Sequence, residues 1–204
     1  MTRPPTRKEA THDRIVEVAA RAIRRAGYQG VGVADIMKEA GLTHGGFYAH
    51  FASRDALLAE AIERAGRDSA ASLGRRMATF RAEGASPFRA LVEAYLADLH
   101  LDACDRGCPV ASLASEMPRQ APEVRAASAR RVQALLEAVQ NVLPADADPG
   151  AAAFVTSTLV GALQLARAYG DDTAEGRTLL ARTREALLAQ YDHETPRPGA
   201  AATH

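Results

Sequence analysis

Apolar residues recur every three or four positions along most of the chain, which places them on one face of an α-helix. The first such stripe runs from Ile15 to Ile23 and stops at Gly27, and a second stripe of two turns runs from Val33 to Ala40. No stretch alternates apolar and polar residues in the manner of a β-strand. The pattern predicts an all-α protein of about nine helices.

A tight turn and a second short helix are predicted directly after Ala40. Gly41 suits the left-handed backbone that ends a helix, and Thr43 is placed to cap the helix that follows. Phe47 and Phe51 are one turn apart and would anchor this helix to the core. Helix, glycine turn and capped helix follow one another in the order of a helix-turn-helix.

Capping residues and prolines predict where the remaining helices begin. Ser53 precedes a long helix to about Arg81, and Asp172 with Glu175 resembles a capping box before the last helix. The tail from residue 194 is rich in Pro, Gly and Ala, which predicts disorder. Further helices are predicted to begin near Pro87, Val110, Pro122 and Asp148–Pro149, and the buried stripe of the helix from Pro87 is expected to reach Leu99.

Composition indicates a soluble globular protein. The chain has 204 residues, of which 47% are hydrophobic and 25% charged. The polar amino terminus lacks the apolar core of a signal peptide, so a cytoplasmic location is expected. The most apolar stretch, residues 151–168, contains Gln164 and Arg167 and is a poor membrane span, so no membrane partner is expected.

The net charge of zero hides an asymmetry along the chain. Residues 1–81 contain 14 Lys and Arg against 9 Asp and Glu, whereas residues 82–204 contain 11 against 16. A basic surplus beside an acidic remainder favours a nucleic-acid-binding module at the amino-terminal end.

The short helix predicted over residues 43–51 is the expected reading element for DNA. Its amino end would present free N–H groups to phosphates, and the rest of the helix would lie in the major groove. Gly45 and Gly46 are poor helix formers, and their lack of side chains would let the backbone approach DNA closely. The alternative is that residues 33–51 form two linker helices of an ordinary bundle. The predicted DNA contacts are Thr43, His44, Gly45, Gly46, Tyr48, His50 and Arg54.

The segment from Gly27 to Leu58 closely resembles the DNA-binding domain of the TetR (tetracycline repressor) family. The similarity is densest in AGLTHGGFYAHFASRDALL, which matches the pattern A-G-L-T-x-G-x-F-Y-x-H-F-x-S-K/R-D/E-x-L. The resemblance covers about the first 65 residues. It implies a homodimer that binds double-stranded operator DNA and is regulated by a small-molecule effector.

The resemblance also implies a domain organisation. Residues 1–53 would form the helix-turn-helix domain, residues 54–193 a helical effector-binding and dimerisation domain, and residues 54–81 the helix linking them. Residues 194–204 would be a tail. Arg3, Arg7 and Lys8 would form a flexible arm along a DNA groove. The expected function is that of a repressor released from a palindromic operator, with no cofactor, no metal and no enzymatic activity.

The segment from Asp102 to Met117 resembles the G-C-P/L-x-x-x-L-A/G-x-E segment of one TetR subgroup, in which Gly-Cys begins a helix beside the ligand cavity. A helix start and Arg106 would favour the thiolate of Cys108, with Cys104 as its resolving partner. A thiol-based redox or electrophile sensor is therefore the alternative function, while structural or passive pocket-lining cysteines are the simpler interpretation. The predicted effector pocket comprises Tyr95, Leu99, Cys108, Met117 and Phe154.

The helix over residues 151–169 is apolar on nearly all faces. Its small residues, among them Ala153 and Gly161, would permit close approach of a second subunit, and the resemblance implies a four-helix bundle with the last helix of each chain. An ordinary core helix is the alternative. A thiol-dependent helical enzyme is a remote third hypothesis, because the sequence has no phosphate-binding glycine loop and its six histidines are scattered.

Overall fold

The computed structural model describes residues 3–170 and 173–192, and every regular element in these ranges is helical. The all-α prediction is therefore confirmed. The predicted tail 194–204 and the predicted cap Asp172 lie outside the described residues. The nine α-helices of these ranges are α1 Arg7–Ala26, α2 Val33–Glu39, α3 Arg54–Ala82, α4 Pro87–Tyr95, α5 Asp98–Asp102, α6 Pro109–Leu113, α7 Pro122–Gln140, α8 Ala151–Ala168 and α9 Ala174–Tyr191. Turns of 3₁₀ helix span His44–Ala49, Cys104–Arg106 and Met117–Arg119.

The described residues form two compact units. The first contains the residues up to 75 together with 98–135, and the second contains 76–97 and the residues from 136 onward. In the first unit, the predicted stripe of α1 is buried, with Ile15, Ala19 and Ile23 fully inaccessible to solvent. This unit holds the predicted helix-turn-helix.

A capping box begins α1 earlier than the apolar stripe. The Thr6 hydroxyl accepts a hydrogen bond from the N–H of Glu9 (3.3 Å), and the Glu9 carboxylate accepts one from the N–H of Thr6 (2.6 Å). Arg7 and Lys8 therefore belong to the first turn of α1, and the expectation that they form a flexible arm is wrong. The Thr-x-x-Glu signal at residues 6–9 could have placed this start.

The helix predicted from Pro87 ends sooner than its apolar stripe suggested. It stops at Tyr95, and α5 begins at Asp98 after two non-helical residues. Because that break resets the helical phase, Leu99 is 62% exposed instead of lying on the buried stripe.

The last two helices begin at residues other than those predicted. The backbone carbonyl of Asp148 accepts the N–H of Ala151 (2.9 Å) in a turn before α8, so Asp148 and Pro149 precede that helix without starting it. Thr173 caps α9, because its hydroxyl accepts the N–H of Gly176 (3.3 Å).

In the second unit, α8 packs against α9 with one face and leaves the other face open. Val155, Leu159 and Leu163 are completely buried, whereas Phe154 is 51% and Leu165 60% exposed. Among the described residues, α8 is the one helix long and apolar enough to cross a membrane, a criterion that core helices also meet. In the part of the chain that the structure describes, no other helix covers this exposed apolar face of α8, and Phe154 contacts only the edge of α9 through the ring of Tyr191 (6.5 Å between centroids).

The turn after α1 is held by contacts from residues distant in sequence. Gly27 has φ +76° and ψ 171°, a conformation that favours glycine. The N–H of Tyr28 donates to a carboxylate oxygen of Glu116 (3.0 Å), and its hydroxyl lies 3.2 Å from that of Ser128. Tyr28 is fully buried, and burial raises the pKa of its phenol.

Replacing Gly27 by alanine is expected to lower the free energy of unfolding by about 1–3 kcal/mol. The new Cβ would lie against the Glu116 carboxylate and displace the acceptor of the Tyr28 N–H. Urea denaturation of the full chain measures the loss. Gly41→Ala is the matched control, since Gly41 also has positive φ (+71°) but a Cβ there meets no described atom within 4 Å. Equal losses in the two variants would show that the contact with Glu116 contributes nothing to the fall in the free energy of unfolding.

Candidate nucleic-acid interface

A glycine turn ends α2 and directs the chain into the next segment. The N–H of Gly41 donates to the carbonyl of Lys38 (2.9 Å), and that of Leu42 donates to the carbonyl of Met37 (2.8 Å). These paired bonds with a left-handed glycine form a Schellman motif. The predicted role of Gly41 is confirmed.

The segment after this turn is a 3₁₀ turn over His44–Ala49, not the α-helix expected over residues 43–51. The Thr43 carbonyl accepts the N–H of Gly46 (3.1 Å), while its hydroxyl makes no capping bond to any described residue, so the predicted cap is wrong. Gly45 and Gly46 explain the difference, because each costs about 1 kcal/mol relative to alanine in a helix. The Thr43 hydroxyl is thereby left available for an external partner.

Two phenylalanines fix the 3₁₀ turn to the first unit, as predicted. Phe47 and Phe51 are 2% and 3% exposed, and their rings stack with centroids 5.5 Å apart. His12 of α1 stacks on Phe51 at 4.5 Å and places its Nε2 2.7 Å from a carboxylate oxygen of Glu60 in α3. The turn is therefore held against both flanking helices.

Opposite these anchors the segment is exposed. Tyr48 is 74% exposed, and Thr43, His44 and Gly45 are also exposed; we call these four residues the contact surface. A Cβ at Gly45 would meet no described atom within 4 Å. Hydroxyl groups and imidazole nitrogens can bind phosphate oxygens or base edges, so this surface has the chemistry for DNA contact.

Two other predicted contacts are placed differently from the contact surface. Gly46 is half-buried, and a Cβ there would lie 3.7 Å from Cε of Met37. His50 is half-buried, and its buried Nδ1 has no hydrogen-bond partner among the described residues. Burial lowers the pKa of His50, and His12 and Lys8 lower it further, which favours a neutral imidazole at neutral pH.

Arg54 makes contacts within the protein that the sequence did not indicate. Its guanidinium donates to the backbone carbonyls of Tyr28 and Val31, the latter at 3.2 Å. It therefore braces the turn between α1 and α2, and a contact with DNA, which stays a prediction, would use its remaining donors.

The residues predicted to line an effector pocket are divided between the two units. Tyr95 and Phe154 lie in the second unit, and Leu99, Cys108 and Met117 in the first. Tyr95, Cys108 and Met117 are buried, whereas Leu99 and Phe154 are mostly exposed. No cavity within one unit brings the five together, and the pocket stays a prediction.

Both cysteines are free thiols. Cys108 is 5% exposed, and its backbone N–H donates to Nε2 of His100 (2.8 Å). Cys104 is half-buried, and its Sγ donates to the carbonyl of Arg24 (3.3 Å). Such burial is typical of structural cysteines, so the thiol-sensor hypothesis gains no support from these positions.

Comparison with known proteins adds two family matches. Residues 15–61 match the family "Bacterial regulatory proteins, tetR family", and residues 84–181 match "Tetracyclin repressor-like, C-terminal domain". An uncharacterized HTH-type transcriptional regulator of Mycobacterium tuberculosis is 31% identical over 177 residues, which cover 81% of this chain and 88% of that protein.

Solved structures share the fold. Reduced NemR of E. coli has a TM-score of 0.73 at 17% identity, covering 92% of this chain and 99% of that one. A TetR regulator of Chloroflexus aurantiacus has a TM-score of 0.71 at 24% identity, covering 89% and 94%. These structural similarities agree with the helix-turn-helix, the two family matches and the mycobacterial relative. The chain belongs to the TetR family of helix-turn-helix transcriptional regulators.

Proposed function

We propose that the protein is a homodimeric repressor that binds a palindromic operator through its contact surface and is released by a small-molecule effector. The observation that carries this proposal is the exposed polar contact surface, held in place by the buried Phe47 and Phe51. The proposed site of action is the cytoplasm, where operator DNA is accessible, and the proposal includes no enzymatic step.

The contact surface would bind both the phosphate backbone and the bases of DNA. The hydroxyls of Thr43 and Tyr48 suit phosphate oxygens, and the exposed imidazole of His44 would hydrogen-bond to a base edge. The open space at Gly45 would let the groove wall approach the protein backbone. In a dimer, two such surfaces would lie about 34–36 Å apart, one turn of the double helix.

The exposed face of α8 supports the proposed dimer. Phe154 and Leu165 project from it with Gly161 between them, and no described atom lies within 4 Å of a Cβ at Gly161. An apolar face with a small residue at its centre suits the same face of a second copy, packed about a twofold axis. Burial of these side chains would stabilise the pair.

Effector release requires two states of the dimer with different affinities for the effector. A ligand shifts the equilibrium only as far as it prefers one of them. The small-molecule effector must therefore bind more tightly to the form that is released from DNA.

Tyr48→Phe tests the contact surface. Removing the hydroxyl is expected to weaken operator binding roughly tenfold, the loss for a hydrogen bond to a charged phosphate, without lowering stability. Fluorescence anisotropy with labelled operator DNA measures the affinity. The dimeric mass of the variant, measured by light scattering, is the control that separates a loss of DNA contact from a loss of dimerisation. Equal affinity of Tyr48→Phe and the unmodified protein would remove Tyr48 from the proposed interface.

A further inference from the structure

A cleft of about 310 Å³ in the first unit lies apart from the contact surface. It is formed by α1, α3 and the 3₁₀ turn Cys104–Arg106. Its charged lining consists of four arginines and two carboxylates: Arg21, Arg24, Arg75, Arg106, Glu17 and Asp68. An excess of two positive charges therefore surrounds a cavity large enough for a small ligand.

Arg24 is a buried cation, and the carboxylates of Asp68 and Asp105 act on it from beyond ion-pair distance. The residue is 4% exposed, and its guanidinium donates to the carbonyls of Ala20 (2.9 Å) and Gly107 (3.2 Å). Among the described residues, no carboxylate lies within 4.0 Å of this guanidinium. Burial lowers the pKa of Arg24, as expected for a desolvated charge, and Asp68 and Asp105 partly offset this by raising it. Two backbone carbonyls leave most of its five donors unused.

The two carboxylates of the cleft are already paired with other residues. Asp68 accepts a hydrogen bond from Nε of Arg64 (2.9 Å). Glu17 accepts one from Arg21 (3.1 Å) and also lies 3.8 Å from Arg64. Arg64 is not part of the lining and offsets part of the charge of these two carboxylates, although Asp68 still raises the pKa of Arg24 against the larger effect of burial.

We propose that this cleft binds a small anion bearing a phosphate or carboxylate group, with Arg24 at its base and Arg106 at its rim. The anion supplies a directly contacting counter-charge to the buried guanidinium, which Asp68 and Asp105 stabilise only from a longer distance. Charge-assisted hydrogen bonds to arginine suit both groups. The Arg106 side chain is 78% exposed, and its Nε lies 4.0 Å from a carboxylate oxygen of Asp105. A pair this long and this exposed is weak, so Arg106 can turn toward a bound anion.

An anion bound in the cleft would connect elements that are distant in sequence. Arg24 joins α1 to Gly107 through its guanidinium and to Cys104 through its carbonyl. A bound anion would add a further link between α1, α3 and Arg106. This site is separate from the predicted effector pocket, because none of the five pocket residues lines it.

Isothermal titration calorimetry on the full chain without DNA tests the site. The probes are inorganic phosphate and malonate, each titrated at constant ionic strength set with sodium chloride. One of the two anions is expected to bind saturably, with one ion per chain. Arg24→Met and Arg106→Ala are each expected to weaken that binding tenfold or more. Arg119→Ala, an exposed arginine of the same unit outside the cleft, is the control and is expected to leave it unchanged.

The pattern of results separates the ligand classes and can overturn the proposal. Binding of phosphate alone assigns a phosphate-bearing ligand, and binding of malonate alone assigns a carboxylate. The absence of saturable binding by either anion, or binding that Arg106→Ala leaves unchanged, overturns the site. Arg106 is exposed, so its substitution tests the cleft even where Arg24→Met unfolds the chain. Since no DNA is present, failure here is distinct from failure of operator binding.

Discussion

Replacing Phe47 by alanine is expected to lower the free energy of unfolding by about 3–5 kcal/mol, the usual cost of removing a buried phenylalanine ring. Phe47 is 2% exposed and stacks on Phe51, so the truncation leaves a cavity where the 3₁₀ turn meets the core. Urea denaturation followed by circular dichroism measures the loss. Operator binding is expected to disappear with it, because the contact surface loses its support.

The neighbouring aromatic residue provides the control. Tyr48 is 74% exposed, so Tyr48→Ala is expected to change the free energy of unfolding by less than about 0.5 kcal/mol. It should nevertheless weaken operator binding. Similar stability losses in the two variants would contradict the division of this segment into buried anchors and an exposed contact surface.

Replacing Gly161 by arginine is expected to convert the dimer to a monomer and to weaken operator binding on the order of 100-fold or more, because the two half-sites are then bound independently. The substitution is not expected to disturb the single chain, since a Cβ at Gly161 meets no described atom within 4 Å. In the dimer, two arginines would meet across the apolar face that carries Phe154 and Leu165. Light scattering coupled to size-exclusion chromatography measures the mass.

Gly74→Arg is the matched control for this variant. Gly74 lies in α3 and is exposed, and a Cβ there would likewise meet no described atom within 4 Å. Both substitutions improve intrinsic helix propensity by up to about 1 kcal/mol, so neither should destabilise its helix. A Gly161→Arg protein that stays dimeric would show that the subunits associate through another surface.

Local sequence signals predicted much of the fold. The helical stripes, the left-handed Gly41 and the Phe47–Phe51 anchor follow from periodicity and turn chemistry, and each is present in the structure. Ser53 caps α3 as expected, since its hydroxyl accepts the N–H of Ala56 (2.9 Å). These features depend on residues only a few positions apart.

Features that depend on distant contacts were not predicted. Arg24 and Arg54 belong to a residue type usually found in solvent, yet their guanidiniums bind backbone carbonyls from other parts of the chain. Leu99 continued an apolar stripe in sequence but follows a break that turns it outward. The 3₁₀ conformation of residues 44–49 depends on the two adjacent glycines and on the packing of Phe47 against the core. The second of these is not visible in the local sequence.

The most direct test of the account is competitive binding to DNA across a range of salt concentrations. The protein is titrated with a labelled fragment from upstream of its own coding sequence and with a shuffled fragment of the same length and composition. The upstream fragment is expected to bind at least about 10³-fold more tightly, with an affinity whose logarithm falls linearly with the logarithm of salt concentration. Equal affinity for the two fragments at every salt concentration would contradict sequence-specific binding to an operator.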